Sequence, residues 1–209
     1  MIKNTLLILV FLGFSNLYAQ ELFIKTGKNS TTFDFSSPNK NPEVSYRSGS
    51  GNFYEVGYQW NLKTNKLAYL VSLTYNQFNA SASYLTNSYS WETNYIGIQN
   101  VLSYKLYETN IIHVSLAAGF NTATIIRGDQ FINTTYFDIK NNEEFAGILF
   151  QPGIGTDIKY LISEKISLSL GYNYSKAYNI SNGTNEKLKF NTSQFQLGIH
   201  IPILIEKNN

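Results

Sequence analysis

The chain has 209 residues, with 16 Lys+Arg against 14 Asp+Glu, and its net charge of +2 gives no basic stripe for nucleic acid and no strongly anionic partner. It has no cysteine, so disulfide-dense secreted scaffolds and cysteine-ligated metal sites are excluded. Charged residues make up 14%, against roughly 25% in ordinary soluble domains, while Tyr and Phe number 16 and 14.

The first 19 residues read as a secretory signal. Lys3 supplies a short positive region, Leu6 to Phe14 an apolar core, and Leu17-Tyr18-Ala19 a cleavage site before Gln20. The apolar core is too short to span a bilayer. The expected division is a signal peptide over 1–19 and one domain over 20–209. Beyond the signal there is no run of 18 apolar residues. A spanning structure would then have to be a closed barrel, because lipid cannot satisfy open backbone groups. Export, low charge and many aromatics together point to the outer membrane.

Eight strand-like runs follow, near 22–35, 53–62, 67–79, 90–106, 111–126, 145–162, 166–178 and 190–205. Many exceed ten residues, longer than a usual globular strand. About ten residues at ~3.3 Å, tilted ~40°, rise roughly 25 Å, the height of an outer-membrane apolar band. The connections alternate. Lys63-Thr64-Asn65-Lys66, Tyr107-Glu108-Thr109-Asn110 and Ser163-Glu164-Lys165 are tight and polar. The connections at 36–52, 80–89, 127–144 and 179–189 are long and rich in Asn, Ser, Thr and Gly. Short turns on one side and long loops on the other are the asymmetry of an outer-membrane barrel. The expected fold is all-β, an eight-stranded antiparallel up-and-down transmembrane barrel with both termini in the periplasm.

Five strands alternate cleanly. Their apolar faces are Tyr54, Val56, Tyr58, Trp60 and Leu62; Leu67, Tyr69, Val71, Leu73 and Tyr75; Ile112, Val114, Leu116, Ala118 and Phe120; Ile166, Leu168, Leu170, Tyr172 and Tyr174; and Phe195, Leu197, Ile199, Ile201 and Ile203. The opposite faces decide what these touch. Of their 25 positions, only Glu55 is charged at neutral pH. A water-facing surface of that size would carry about six charges or more. Small uncharged residues such as Ser167, Ser169, Gly171, Asn173 and Ser175 suit a packed lumen, which eight strands leave just wide enough for side chains. The apolar faces are therefore expected to meet lipid. Aromatics near strand ends, namely Tyr58 and Trp60, Tyr104 and Tyr107, Tyr160, Tyr172 and Tyr174, and Tyr89 and Trp91, are expected to form two girdles. Pro152 within Gln151 to Gly155 cannot donate to a ladder and predicts a bulge or bend.

The segment Gly153 to Ser175 resembles the penultimate hairpin of small Gram-negative outer-membrane barrels, the OmpX-like or PorT-like porin-family domain. The resemblance rests on Gly153, Gly155, Asp157, Tyr160, the turn Ser163-Glu164-Lys165, Leu168, Leu170, Tyr172 and Tyr174. Ile24 to Phe33 resembles the family's first strand. Gln196, Gly198, Ile201 and Ile203 resemble its barrel-assembly signal, although the chain continues to Asn209. The resemblance implies residence in the outer membrane. Its partners would be membrane lipid and lipopolysaccharide, the barrel-assembly machinery during insertion, and an unspecified partner at the external loops.

No catalytic, cofactor-binding or metal-binding residue is singled out. His113-Val114-Ser115 has the His-x-Ser pattern of barrel enzymes that deacylate lipid A, but His113 and His200 both fall on the interior face. Lys25, Glu55, Asp157 and Lys159 are expected to pair in the interior, since buried charges must be paired. Arg127-Gly128-Asp129 opens the longest expected loop and matches an integrin-binding tripeptide by chance. The leading expectation is a non-enzymatic surface protein acting through its loops. A lipid A-modifying barrel enzyme and a soluble lipocalin-like carrier are the alternatives.

Overall fold

A computed structural model describes residues 18–36, 45–62, 66–180 and 187–203. The strands are β1 (Tyr18–Ser36), β2 (Ser45–Asn61), β3 (Leu67–Tyr84), β4 (Asn87–Glu108), β5 (Ile112–Ile132), β6 (Thr135–Asp138), β7 (Ile148–Ser163), β8 (Ile166–Asn179) and β9 (Lys187–Ile203). All pairings are antiparallel between neighbours, and β1 pairs with β9 to close the ring. Eight strands form the barrel. The four-residue β6 pairs only with the distal end of β5, above the start of β7. No helix is present among the described residues. The predicted cleavage point falls two residues inside β1, while the rest of the predicted signal lies outside the described residues.

The turns at 109–111 and 164–165 lie at the near end, that of the termini, as do the facing ends of β2 and β3, while residues 63–65 of the expected turn Lys63-Thr64-Asn65-Lys66 lie outside the described residues. At the far end the structure departs from expectation. Residues 45–52, 80–84, 87–89 and 127–132 are strand, where long loops were expected. A two-residue turn at 85–86 joins β3 to β4. Strands β2 to β5 therefore continue as a sheet above the barrel. Asn133, which begins the β5–β6 turn, has φ 55°, a conformation Asn tolerates better than most residues. Its side chain accepts a 2.9 Å hydrogen bond from the Ser88 amide.

The faces are as predicted. Ile24, Leu73, Ile98, Leu170 and Leu197 are all more than half exposed, whereas Ser167, Ser169, Ser72, Thr74 and Gln194 are buried. Along the belt, large apolar side chains line the outside of every barrel strand, with Phe23, Phe53 and Leu70 among those that face in. This excludes the soluble carrier, which needed them inside. Tyr58, Trp60, Tyr69, Tyr104, Tyr107 and Tyr160 stand outward near one edge of this belt, with Tyr54, Tyr75, Tyr172 and Tyr174 near the other. Trp91 departs from the girdle expectation. It is buried inside the lumen, with Tyr89 packed beside it.

Pro152 causes no bulge. It pairs with Phe120 on β5, and the β7–β8 ladder is interrupted between Phe150↔Tyr178 and Gly153↔Ser175 before resuming in the same register. A proline only subtracts a donor; with two residues on each strand inside the gap, nothing has to bulge.

Candidate functional site

The lumen is stacked in layers. At the near end Glu21 pairs with Lys159, and His200 lies between Glu21 and Ser169. Its Nδ1 is 3.4 Å from the Glu21 carboxylate and its Nε2 3.0 Å from Ser169 Oγ. The imidazole stacks on Phe23, with ring centroids 5.6 Å apart. His113 sits 3.2 Å from Glu108, which also binds Lys105 at 2.5 Å.

One layer further in, Lys25 lies 3.4 Å from Asp157, and Glu55 accepts a 2.5 Å hydrogen bond from Ser72. The four expected interior charges thus separate into two groups: Lys25 with Glu55 and Asp157, and Lys159 with Glu21. Glu21 was missed because the predicted first strand began one residue later. Its place two residues before Phe23, on the inward parity, was the available signal.

Above the charges lies a belt of amides and hydroxyls. Gln194 donates to Asn29 at 2.7 Å, Asn29 to Asn76 at 3.2 Å, Thr74 to Asn121 at 3.2 Å, Asn121 to Gln151 at 3.3 Å, and Gln151 to Ser175 at 2.8 Å. These bonds tie β9, β1, β3, β5, β7 and β8 across the interior. They satisfy groups that would cost roughly 1–3 kcal/mol each if left unpaired.

The far third of the lumen is apolar, against the expectation of a polar interior throughout. Phe33, Phe78, Trp91, Tyr95, Ile125, Leu188 and Phe190 pack together. Phe33 and Phe190 stack with centroids 4.4 Å apart. The connection between β6 and β7 folds inward over them, burying Ile139 and Phe145. Tyr95 donates to the Phe145 carbonyl at 3.3 Å. Gly128 packs closely here: a Cβ would meet Ile125 at 2.8 Å and Ile139 at 3.0 Å, and these side chains would have to shift.

A cavity of about 180 Å³ lies against the small residues Ser115, Ala117, Gly119, Gly153 and Gly155, and is bounded at the near end by Lys66, Lys105 and His113. It extends to the amide belt, lined there by Asn76, Asn121, Gln151 and Gln194. Its size and polar lining suit it to water.

The Glu21–His200–Ser169 chain has the order of an acid, an imidazole and a hydroxyl. Ser169 is nonetheless buried, crowded against Gly198 and the Lys25 stem. His113 and Ser115 face inward at the near end, paired with Lys159 and Asp157 on β7. The arginine–glycine–aspartate tripeptide is not a loop. It lies in β5, where buried Asp129 binds Arg127 at 2.7 Å and accepts from Tyr136 at 3.0 Å, so its carboxylate is already occupied. Of the assembly-signal residues, Gln196 and Gly198 point inward and Ile201 and Ile203 outward.

No family model matches the chain, and no curated protein matches its sequence. Solved structures do match. Neisserial surface protein A has TM-score 0.51 at 13% identity, over 86% of this chain and 96% of that one. OprG from Pseudomonas aeruginosa has TM-score 0.49 at 14% identity, over 90% and 97%. The outer membrane protease OmpT from Escherichia coli has TM-score 0.49 at 8% identity, over 90% and 98%. At such identities the likeness is one of fold, and one fold hosts many activities. The apolar exterior and the closed ring are those of a barrel embedded in lipid, and the fold is that of the small outer-membrane barrels.

Proposed function

We propose that the protein is exported with removal of residues 1–19 and sits in the outer membrane. There it acts without enzymatic chemistry or solute conduction, through the sheet that β2 to β5 raise outside the bilayer. The observation that carries this reading is the apolar core across the far third of the lumen. It leaves no polar route from the near-end cavity to the far side among the described residues. The lumen then serves as scaffold, and the far-end sheet is the part free to meet a partner. The absence of enzymatic chemistry is supported by the burial of Ser169 and by the inward placement of His113 and Ser115, away from lipid.

The test is reconstitution of the refolded chain in planar bilayers, beside gels of boiled and unboiled samples and cell fractionation. The reading expects a heat-modifiable band in the outer-membrane fraction and no stepwise conductance. Discrete channels, or a soluble periplasmic pool, would overturn it. Lipid A mass spectra with and without the gene test the enzymatic alternative, which predicts altered acylation.

A further inference from the structure

Just above the lipid-facing belt, the outward surface differs from strand to strand. On β7 it is uncharged, Ile148 and Phe150, and on β5 Thr122 and Thr124 lead up to Arg127, whose charge is held by Asp129. On β3 and β4 it is amide and acid: Gln77, Asn79, Asn94 and Glu92. On β8, β9 and β1 it carries three lysines: Lys176, Lys189 and Lys28.

The register fixes their arrangement. Lys176 is opposite Asn191, Lys189 is opposite Tyr178, and Lys28 is opposite Phe195. Lys176 and Lys189 are thus diagonal neighbours on one face, with Cα atoms about 7–8 Å apart. Neither makes an ion pair among the described residues. Asp34, the acid on this face opposite Lys189, has an interaction of its own. Between the lysines the surface is hydroxyl and amide: Ser30, Thr32, Ser193 and Asn191. Immediately below lies a smooth apolar strip of Phe195, Leu197, Ile199, Leu168 and Leu170.

Asp34 is the acid directly opposite Lys189, and Lys176 faces no acid among the described residues, so the two ammonium groups and the hydroxyls between them leave donors for an anion. Phosphate accepts from ammonium and hydroxyl groups alike. The strip below fits acyl chains. We propose that this face of β8, β9 and β1 binds the phosphorylated headgroup of a lipid in the same membrane, with Lys176 and Lys189 as the phosphate clamp and Lys28 as a flanking charge. The inference rests on the outer-membrane reading, since it needs the belt to lie in lipid.

The experiment uses the full chain refolded into nanodiscs of neutral phosphatidylcholine doped with bis-phosphorylated lipid A or its fully dephosphorylated counterpart. Lipid retained after detergent release is counted by native mass spectrometry. Retention of phosphorylated lipid A over the dephosphorylated form is expected, with at least a tenfold loss in the K176Q/K189Q double variant. K176R/K189R should retain binding, and K165Q, in a near-end turn, should be unchanged. Equal retention of the two lipid forms, or no loss in K176Q/K189Q, would overturn the proposal. So would displacement by millimolar inorganic phosphate, which would mark a free-anion site. A heat-modifiable barrel without lipid selectivity sinks only this inference. A chain that never inserts sinks the outer-membrane reading itself.

Discussion

Leu170 is the sharpest probe of which face meets lipid. It is 55% exposed and central on the outward face of β8, between Ile166 and Tyr174. If that face met water, Leu170→Arg would change stability by no more than about 0.5 kcal/mol, as surface substitutions do. If it meets lipid at mid-depth, the same change costs about 2–4 kcal/mol. Depth supplies an internal control. Ile166 is four residues nearer the rim, about 10 Å lower at ~3.3 Å per residue and a tilt of ~40°. Ile166→Arg should therefore cost only about 0–1 kcal/mol. Reversible urea titration in phospholipid vesicles, read by tryptophan fluorescence and by folded-band intensity, measures both. Equal costs at the two positions, or a neutral Leu170→Arg, would refute the assignment of this face to the bilayer.

The interior yields further expectations. Phe190 is fully buried among Phe33, Phe78 and Tyr95, so Phe190→Ala should cost about 3–5 kcal/mol in the same titration. Asp157→Asn should cost about 2–3 kcal/mol, less than stripping a buried charge of every partner because Glu55 stays opposite Lys25; an unchanged urea midpoint would show that the pair is not formed. Gly27→Ala would place a Cβ 1.8 Å from the Phe195 carbonyl oxygen at the seam that closes the barrel, and the heat-modifiable band should be lost. Tyr136 lies outside the belt, and its hydrogen bond to Asp129 raises the phenol pKa above its ordinary value. The bond's contribution should be complete below about pH 10 and fade as pH rises through the raised folded value. Asp129→Asn should return the titration toward normal, as followed by NMR of labelled tyrosine.

How much of this was readable from the sequence depends on position along each strand. In the belt, period-two alternation with an uncharged opposite face gave the direction of every side chain in five strands, and the structure keeps it. The tight turns at 109–111 and 164–165 were equally readable, because short polar segments between alternating runs leave little choice. The far end was misjudged because Ser-, Asn- and Gly-rich segments such as 45–52 and 80–89 have loop composition. Their strand character comes from cross-strand partners such as Tyr46↔Ala82 and Ala82↔Tyr89, not from local propensity. The candidate site was readable as charges on an inward face; which charges would meet was not. Asp157 on β7 and Lys25 on β1 come together only when the ring closes, and their distance in sequence carries no local signal.

The apolar far-end core did leave a mark: the phase of the alternation inverts. On β9 the apolar residues are odd-numbered from Phe195 to Ile203, but Leu188 and Phe190 are even-numbered. On β3 they are odd-numbered from Leu67 to Tyr75, and then Phe78, Ala80 and Ala82 are even-numbered. On β1 Leu22 and Ile24 give way to Phe33, and on β5 Leu116 and Phe120 give way to Ala123 and Ile125. No bulge is needed for the change on β9 or β3, because the strand keeps its register while its surroundings change. In lipid the outside must be apolar and the interior can be polar; in water the preference reverses. The residue at which the phase flips therefore marks where each strand leaves the bilayer. Because it flips at the end opposite the termini on all four strands, it also tells which end of the barrel stands in water as a small folded sheet.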